Sequence, residues 1–228
     1  MVTRLQFLRS VSLFSSLSHE QLEHFAESCT FRELDPYDYI WEEEQDSPTP
    51  FLVHSGRVLV GKSSSRGKEL ILNVLLSHDI LSLLPALDSG SSSLFARAQT
   101  AAEVMIIPTL TLSLLLERRP ALEAVFARQL AVQLRGAHDL CRAFAHDGVE
   151  SRIAAALCAL ARKFQAEEAK NSEVAVYMRR QDLANISGVS LETAIRVTKA
   201  MEGDGLLDLS RRGLIRVLDP GALAERCV

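Results

Sequence analysis

The chain has 228 residues, of which 47% are hydrophobic and 24% are charged, so it is long enough to form two ordinary domains. Its formal net charge of −4 and its isoelectric point near 5.9 exclude a protein coated with positive charge for indiscriminate binding to nucleic acid. No apolar run approaches the roughly 18 residues of a membrane-spanning helix, and the N-terminal stretch is interrupted by Arg9 and by serines. We therefore expect a cytoplasmic protein with no membrane partner.

The four cysteines are Cys29, Cys141, Cys158 and Cys227. They are far apart in the sequence and form no Cys-x-x-Cys pair. This spacing predicts isolated thiols in a reducing compartment, each with a structural or incidental role.

The first predicted helix runs from Ser18 to Cys29. Ser18 is followed three residues later by Gln21, which is the capping-box pattern, and Leu22 and Phe25 have helical spacing. The period then changes to about two, with short apolar runs between residues 31 and 107. Turn-forming sequences separate these runs, so this part of the chain predicts an antiparallel sandwich or barrel.

From about Thr109 to about Gln165 the pattern is helical again. Pro120 is suited to the first turn of a second helix, and residues 146–148 end that helix before a third begins at Val149. Apolar and small residues recur along the second helix at alternating steps of four and three, which is a heptad seam. The seam predicts a dimer interface, although the same residues could pack on their own domain. Its members are Leu130, Leu134, Ala137, Cys141 and Phe144.

The C-terminal part predicts a compact unit of short elements. A strand at 174–178 precedes a helix at 180–186, a turn at 187–189, a helix at 191–202 and a hairpin at 206–218. This order is typical of a helix-turn-helix followed by a wing.

The second helix of this unit has two different faces. Gly188 suits the tight turn before it, Ser190 is a good N-cap, and Gly203 and Gly205 lie where a helix end favours left-handed backbone. The face predicted to pack inward consists of Ala194, Val197 and Met201, together with Leu206 beyond the helix. The outward face consists of Leu191, Glu192, Ile195, Arg196 and Lys199.

The outward face is interpreted in two ways. It could be a solvated surface with a Glu192–Arg196 ion pair, worth a few tenths of a kcal/mol. In a DNA major groove, however, arginine pairs with guanine, glutamate accepts from the cytosine amino group, and apolar side chains meet thymine methyls. The predicted base contacts are Leu191, Glu192, Ile195 and Arg196, and the predicted backbone contacts are Arg180, Gln181, Ser190, Lys199, Arg211 and Arg212. Residues 171–228 carry eight Lys or Arg and eight Asp or Glu, so affinity must come from placement and from two copies acting together.

Two long segments resemble one family. RRQDLANISGVSLETAIRVTKAMEGDGLL, at 179–207, resembles the DNA-binding domain of the cyclic-AMP receptor protein and fumarate-nitrate reductase regulator (CRP/FNR) superfamily. SGRVLVGKSSSRGKELILNVLLSHDIL, at 55–81, is similar to its effector β-roll. The resemblance implies an α+β protein with a cyclic-nucleotide-binding-like β-roll (double-stranded jelly roll) at 1–119, a dimerisation helix at 120–147 and a winged helix at 148–228. It also implies a homodimeric transcription regulator that binds a palindromic operator in double-stranded DNA and works with RNA polymerase.

The resemblance carries base-reading roles to particular positions. The family's glutamate and arginine match Glu192 and Arg196, which implies a central G:C pair in each half-site. The residue before the glutamate is an arginine in the cyclic-AMP-responsive branch and apolar in the fumarate-nitrate branch, so Leu191 is similar to the second. Ile195 departs from that branch, which has a serine just before the arginine.

The cyclic-nucleotide cassette of the family is eroded in this chain. Similar proteins have a Gly-Glu-Leu segment and then an Arg-Ser or Arg-Thr pair, which here align with Ser82-Leu83-Leu84 and Ser92-Ser93. Arg97 lies five positions beyond Ser92, and an odd offset directs it to the opposite face of a continuous strand. Because a buried phosphate needs charged partners, the sequence does not favour a cyclic nucleotide as the effector.

Other effectors and classes must also be weighed. The N-terminus lacks the clustered cysteines of an iron-sulfur site, whereas haem needs only one or two ligands, for which His54 and His78 are the candidates. The candidate effector pocket consists of Ile80, Leu81, Leu83, Leu84 and Leu94, which could equally be plain core. The alternatives are a cyclic-nucleotide-responsive regulator and a DNA-binding or interaction protein that has lost sensing. The scattered histidines and the lack of catalytic motifs disfavour an enzyme.

Overall fold

The structure is a computed structural model that describes residues 3–43, 49–81, 94–167 and 174–227. Within these ranges the chain forms two compact units, which divide between residues 136 and 137, with the short segment 69–71 counted in the second unit. The structure confirms the expected α+β architecture of strands followed by helices and a C-terminal helix-turn-helix. The finer domain boundaries at 119 and 147 stay a prediction.

Two short helices open the N-terminal unit. Helix α1 (Arg4–Ser10) is capped reciprocally by Thr3 and Gln6, and a single 3₁₀ turn follows at Ser12–Phe14. Helix α2 (His19–Ser28) confirms the predicted capping box, because Ser18 accepts from the backbone of Gln21 and the Gln21 side chain accepts from the Ser18 N–H. The first helix was not predicted from the sequence.

Among the described residues, eight strands between Thr30 and Ile106 form two four-stranded sheets. Their orders are β1-β8-β3-β6 and β2-β7-β4-β5. The strands are β1 Thr30–Leu34, β2 Tyr39–Trp41, β3 Phe51–Ser55, β4 Val58–Ser63, β5 Glu69–Leu75, β6 Ile80–Leu81, β7 Phe95–Ala98 and β8 Ala102–Ile106. Buried side chains from both sheets make one cluster, so the sheets pack face to face as the sequence predicts.

The alternation of side chains along β3 divides the core in two. Phe51 and Val53 belong to the cluster between the sheets, whereas Leu52 belongs to a second cluster with the N-terminal helices. This second cluster also takes residues from helix α3 (Thr109–Glu117) and from the start of helix α4 (Pro120–His146). The first sheet is therefore covered by helices on its outer face.

The C-terminal unit is built around helix α5 (Val149–Glu167). It continues with β9 Val174–Tyr177, α6 Arg180–Ser187, α7 Leu191–Gly203, β10 Leu207–Asp208, β11 Leu214–Val217 and α8 Pro220–Glu225. The strands form an antiparallel sheet of order β10-β11-β9. The predicted helix-turn-helix and hairpin are confirmed, whereas α8, capped by Asp219 through the Ala222 N–H at 2.9 Å, was not predicted.

Candidate DNA-binding surface

The turn between α6 and α7 depends on Gly188. Its backbone is left-handed, at φ 62° and ψ 40°, and its N–H donates to the Ala184 carbonyl. A Cβ at this position would lie 2.7 Å from Cε1 of Phe144, closer than real contacts allow. Both the conformation and the space therefore require glycine, which fixes the angle at which α7 leaves the turn.

The residues at the two ends of α7 were predicted from the capping preferences of helices. Ser190 is the N-cap, and its hydroxyl accepts from the Thr193 N–H at 3.2 Å. At the other end, Gly205 has the predicted left-handed backbone, at φ 75°. The prediction for Gly203 is wrong, because the helix continues through Gly203 and Asp204 is its C-cap.

The inward face of α7 is confirmed. The predicted residues Ala194, Val197, Met201 and Leu206 are all buried. Thr198 is also fully buried, and its hydroxyl donates a hydrogen bond of 2.8 Å to the Ala194 carbonyl one turn earlier in the helix. Since burial fixes this face, the rotation of α7 about its axis is set.

The outward face of α7 is open. Glu192, Ile195 and Arg196 are exposed, while Leu191 is half-buried. Hydrogen bonds from the backbone N–H of Glu192 itself and from the Ser190 hydroxyl lower the pKa of the Glu192 carboxyl, which therefore carries its charge at neutral pH. Within the described part of the chain, Glu192 and Arg196 form no ion pair with each other. The weak ion pair that was part of the solvated-surface interpretation therefore does not form between these two residues.

The predicted backbone-contact residues lie on three elements. Arg180 is half-buried at the start of α6, where desolvation lowers its pKa and nearby Glu202 opposes that change. Gln181 is exposed, and its side-chain amide donates to Asn185 at 2.9 Å. Lys199 is exposed on α7.

The wing carries the remaining two cations. Arg211 and Arg212 are exposed in the loop between β10 and β11. The base of the loop is held by an Asp208 carboxylate, which accepts from the Ser210 N–H at 2.8 Å and pairs with Arg216 at 3.4 Å. The loop is also tied to the end of α7, because the Leu209 N–H donates to Glu202 at 3.0 Å.

The predicted seam on α4 has different surroundings along its length. Leu130, at one end, packs partly buried against the N-terminal core, and Phe144, at the other end, lies 5.3 Å beneath the Arg152 guanidinium. The middle of the seam, Leu134, Ala137 and Cys141, is exposed, with Leu134 at 57%. Packing on the chain's own units thus accounts for the two ends of the seam and leaves the middle open.

The candidate effector pocket is only partly assembled. Leu81 and Leu94 pack in the cluster between the sheets, but Ile80 points to the helical cluster, because adjacent residues of a strand face opposite sides. Ile80 therefore does not line the candidate pocket between the sheets, and its prediction as a pocket residue is wrong. Leu83 and Leu84 lie outside the described residues.

The space between the sheets is apolar. Ala96 and Ala98 face it from β7, whereas Arg97 between them stacks on the Tyr39 and Phe95 rings, at 5.5 Å from each centroid. Arg97 therefore lies on the face of β7 opposite to Ala96 and Ala98, whereas Ser92, from which its direction was inferred, lies outside the described residues. Trp41 is the exception to the apolar lining, because its buried indole N–H has no hydrogen-bond acceptor among the described residues.

The two candidate haem ligands already have partners. His54 Nδ1 lies 2.5 Å from Glu103 Oε2, and its ring contacts Phe7 edge-on at 4.7 Å between centroids. His78 Nε2 lies 2.9 Å from the Ser10 hydroxyl, and the residue itself has left-handed backbone at φ 70°. Together these contacts anchor α1 on the roll, which is a structural role for both histidines.

The prediction that all four cysteines are isolated is wrong. Cys29 is buried and Cys141 is exposed, but Cys158 on α5 and Cys227 after α8 meet with their sulfur atoms 3.8 Å apart. The two are 69 positions apart in the sequence, so no spacing rule could have found the pair.

The fold and the open face of α7 define a class of protein: a DNA-binding protein with a winged helix and an N-terminal sensor-type roll. Comparison with known families agrees with this class. Residues 151–226 match the Crp-like helix-turn-helix domain, and residues 31–119 match the cyclic nucleotide-binding domain. None of the described helices has the length and apolar character needed to cross a membrane.

Relatives match over most of the chain. The anaerobic regulatory protein of Bacillus subtilis is 25% identical over 89% of this chain and 84% of its own length. The fumarate and nitrate reduction regulatory protein of Escherichia coli is 26% identical over 77% of this chain and 69% of its own. The solved structure of FixK2 from Bradyrhizobium japonicum has a TM-score of 0.75 at 20% identity, covering 88% of this chain and 98% of that chain.

The chain belongs to the CRP/FNR superfamily of transcription regulators. It is therefore a DNA-binding regulator, and its relatives are regulators and not enzymes.

Proposed function

We propose that the protein is a homodimeric regulator that reads a palindromic operator with α7. The observation that carries the proposal is the open face of α7, where Glu192 and Arg196 are exposed and unpaired with each other beside the apolar Leu191 and Ile195. Glu192 and Arg196 would read one G:C pair, and the two apolar residues would meet thymine methyls. Leu191 favours a half-site like that of the fumarate-nitrate branch.

The proposed phosphate contacts surround that face. Exposed cations lie on α7 and at the wing, and the first turn of α6 and the N-cap of α7 add polar groups. They would set the register of the protein on the duplex without reading sequence. These residues are Arg180, Gln181, Ser190, Lys199, Arg211 and Arg212.

The test of base reading begins with selection of an operator from random double-stranded DNA by the purified full chain. Arg196→Ala should then weaken binding to that operator by about 1 to 3 kcal/mol and relax the preference at one guanine in each half-site. Lys199→Ala is the matched control, because loss of a phosphate contact weakens binding to all sequences alike and reduces the salt slope by about 1. Equal losses for Arg196→Ala on selected and scrambled DNA would refute the assignment.

We further propose that the middle of the α4 seam pairs with the same seam of a second copy. Leu134 is exposed and is followed at heptad spacing by the small Ala137, and a parallel pair of helices buries residues of this kind in its interface. A dimer formed in this way would present its two recognition helices about 10 base pairs apart on the DNA. RNA polymerase is the proposed further partner, because the relatives are transcription regulators.

Leu134→Lys tests the dimer, since it places two like charges in the seam. Sedimentation should show a dimer for the native chain and a monomer for the variant at the same concentration, with operator affinity lost at least tenfold. Gln133→Lys is the control, because this exposed neighbour lies outside the seam. A native chain that is monomeric while binding the operator tightly would overturn the proposal.

We propose that the effector is not a cyclic nucleotide. Among the described residues, the interior between the sheets is apolar, Arg97 faces away from it, and the Trp41 N–H has no hydrogen-bond acceptor. These features favour a ligand that brings an acceptor. Trp41 is the single tryptophan, so its fluorescence reports directly on this interior. Cyclic AMP and cyclic GMP should leave both the fluorescence and operator binding unchanged.

Haem is tested separately, although the contacts of His54 and His78 do not favour it. A Soret band that shifts with carbon monoxide and is lost in His54→Ala or His78→Ala would support a haem sensor. Operator binding that no added ligand changes would support the alternative of an effector-independent regulator.

A further inference from the structure

Two thiols of the C-terminal unit are in contact. The sulfur atoms of Cys158 and Cys227 are 3.8 Å apart, and both residues are half-buried. A disulfide has a sulfur-sulfur distance of about 2 Å, so the two atoms need to approach by less than 2 Å for a bond to form.

The segment that carries Cys227 is held in place by other contacts. Leu223 of α8 is fully buried, and its carbonyl accepts a hydrogen bond from the Cys227 thiol at 3.6 Å. Arg226 pairs with Glu150 at 2.6 Å and with Asp204 at 3.1 Å. These contacts keep Cys227 beside Cys158 in the reduced protein, so the pair is a stable juxtaposition.

We propose that Cys158 and Cys227 form a reversible disulfide and are a site of oxidative modification in the DNA-binding unit. With hydrogen peroxide as the oxidant, one thiolate attacks an oxygen and becomes a sulfenic acid, releasing the first water. The second thiol attacks that sulfur, the disulfide forms, and the second water leaves. Two thiols and one peroxide thus give one disulfide and two waters, so atoms and electrons balance.

The burial of Cys158 affects how readily the pair is oxidised. Burial raises the pKa of Cys158 to about 11, and the contact with Cys227 acts in the same direction, so the Cys158 thiol stays protonated at neutral pH. Because the thiolate is the reactive form of cysteine, formation of the disulfide should become faster as the pH rises toward 11.

The disulfide would close a loop that contains both helices of the helix-turn-helix and the wing. Because the sulfurs already touch, closure locks the native arrangement, and the main effect is a loss of entropy in the unfolded chain. The unfolding temperature of the C-terminal unit should rise by roughly 10 °C, and dithiothreitol should reverse the rise. Operator affinity should stay within about twofold, as the reading face of α7 is not moved.

The experiment uses the full-length Cys141→Ser variant, in which the exposed thiol that could cross-link two copies is removed. The folded protein is treated with hydrogen peroxide, blocked with N-ethylmaleimide, and digested for mass spectrometry. We expect a peptide pair joined through Cys158 and Cys227, with the loss of two hydrogen atoms in intact mass and with Cys29 unmodified. Cys158→Ser and Cys227→Ser are the matched controls, and each should lose the cross-link.

Two results would overturn the proposal. One is the oxidation of either thiol of the pair to a sulfinic acid while the other is recovered as a free thiol. The other is an unfolding temperature of Cys141→Ser that peroxide does not change. This measurement does not use Cys158→Ser or Cys227→Ser, so it does not depend on whether those two variants fold.

Discussion

Replacing Gly188 by alanine tests the physical basis of the helix-turn-helix. The left-handed backbone at φ 62° costs alanine about 1 kcal/mol relative to glycine. The new Cβ would also lie 2.7 Å and 3.1 Å from two ring atoms of Phe144 and 3.4 Å from Nη1 of Arg152, so the ring must move at a cost of about 1 to 3 kcal/mol. The C-terminal unit should therefore lose about 2 to 4 kcal/mol of unfolding free energy.

The assay must separate the two units, because a chain of two units does not unfold in one step. Hydrogen exchange of peptides from 180–203 reports the C-terminal unit, while Trp41 fluorescence during urea unfolding reports the N-terminal unit. Gly188→Ala should raise exchange in the first and leave the second unchanged. Operator affinity should fall, since the turn sets the direction of α7.

Gly205→Ala is the matched control. Gly205 has the same kind of backbone, at φ 75°, but nothing lies within 4 Å of its added Cβ, so only about 1 kcal/mol should be lost. Truncation of the ring in the double variant Gly188→Ala/Phe144→Leu should restore part of the steric cost. A loss for Gly188→Ala no larger than that for Gly205→Ala would refute the role of the Phe144 contact.

Two further outcomes follow from particular residues. Gly203 is helical with open space around it, so Gly203→Ala should stabilise the C-terminal unit by about 0.5 to 1 kcal/mol, and no gain in its urea midpoint would contradict that helical assignment. Burial raises the pKa of Cys29 from 9.0 to about 11, so the folded state keeps the proton that the unfolded state loses. The stability that the protonated Cys29 thiol contributes to the folded state is fully present below pH 9 and is lost as the pH rises to 11. The difference in unfolding free energy between the native chain and Cys29→Ala should therefore fall by about 2 to 3 kcal/mol over this range, and parallel pH curves would show that Cys29 is not protected.

The features of the recognition helix α7 that the sequence predicts correctly depend on residues that are close together in the chain. The Ser190 cap and the inward face of α7 depend on residues one helical turn apart, so the sequence alone determines them. The prediction of left-handed backbone at Gly203 is wrong because Gly203 and Gly205 are both typical of a helix end in the sequence. Only the backbone conformation shows that Gly203 is the last residue of α7 and that Gly205 lies after the helix. The start of α1 was missed although Thr3 and Gln6 form a capping box, since its short length gives little periodicity.

Contacts between distant segments could not be predicted in the same way. Phe144 has a place in the heptad pattern, yet Arg152 and Gly188 contact it, because α5 and the turn fold back against the end of α4. Ile80 and Leu81 look alike in the sequence, but they enter different cores, since the pairing of β6 with β3 sets which side each faces.

The sequence by itself determined the order of elements, the amphipathic recognition helix and the family, because periodicity, caps and turn residues act over a few positions. The tertiary structure alone decided that Cys158 meets Cys227, that the buried Trp41 N–H has no acceptor among the residues the structure describes, and which part of the α4 seam stays open. These features depend on how far-separated segments pack, and no local pattern encodes such distances.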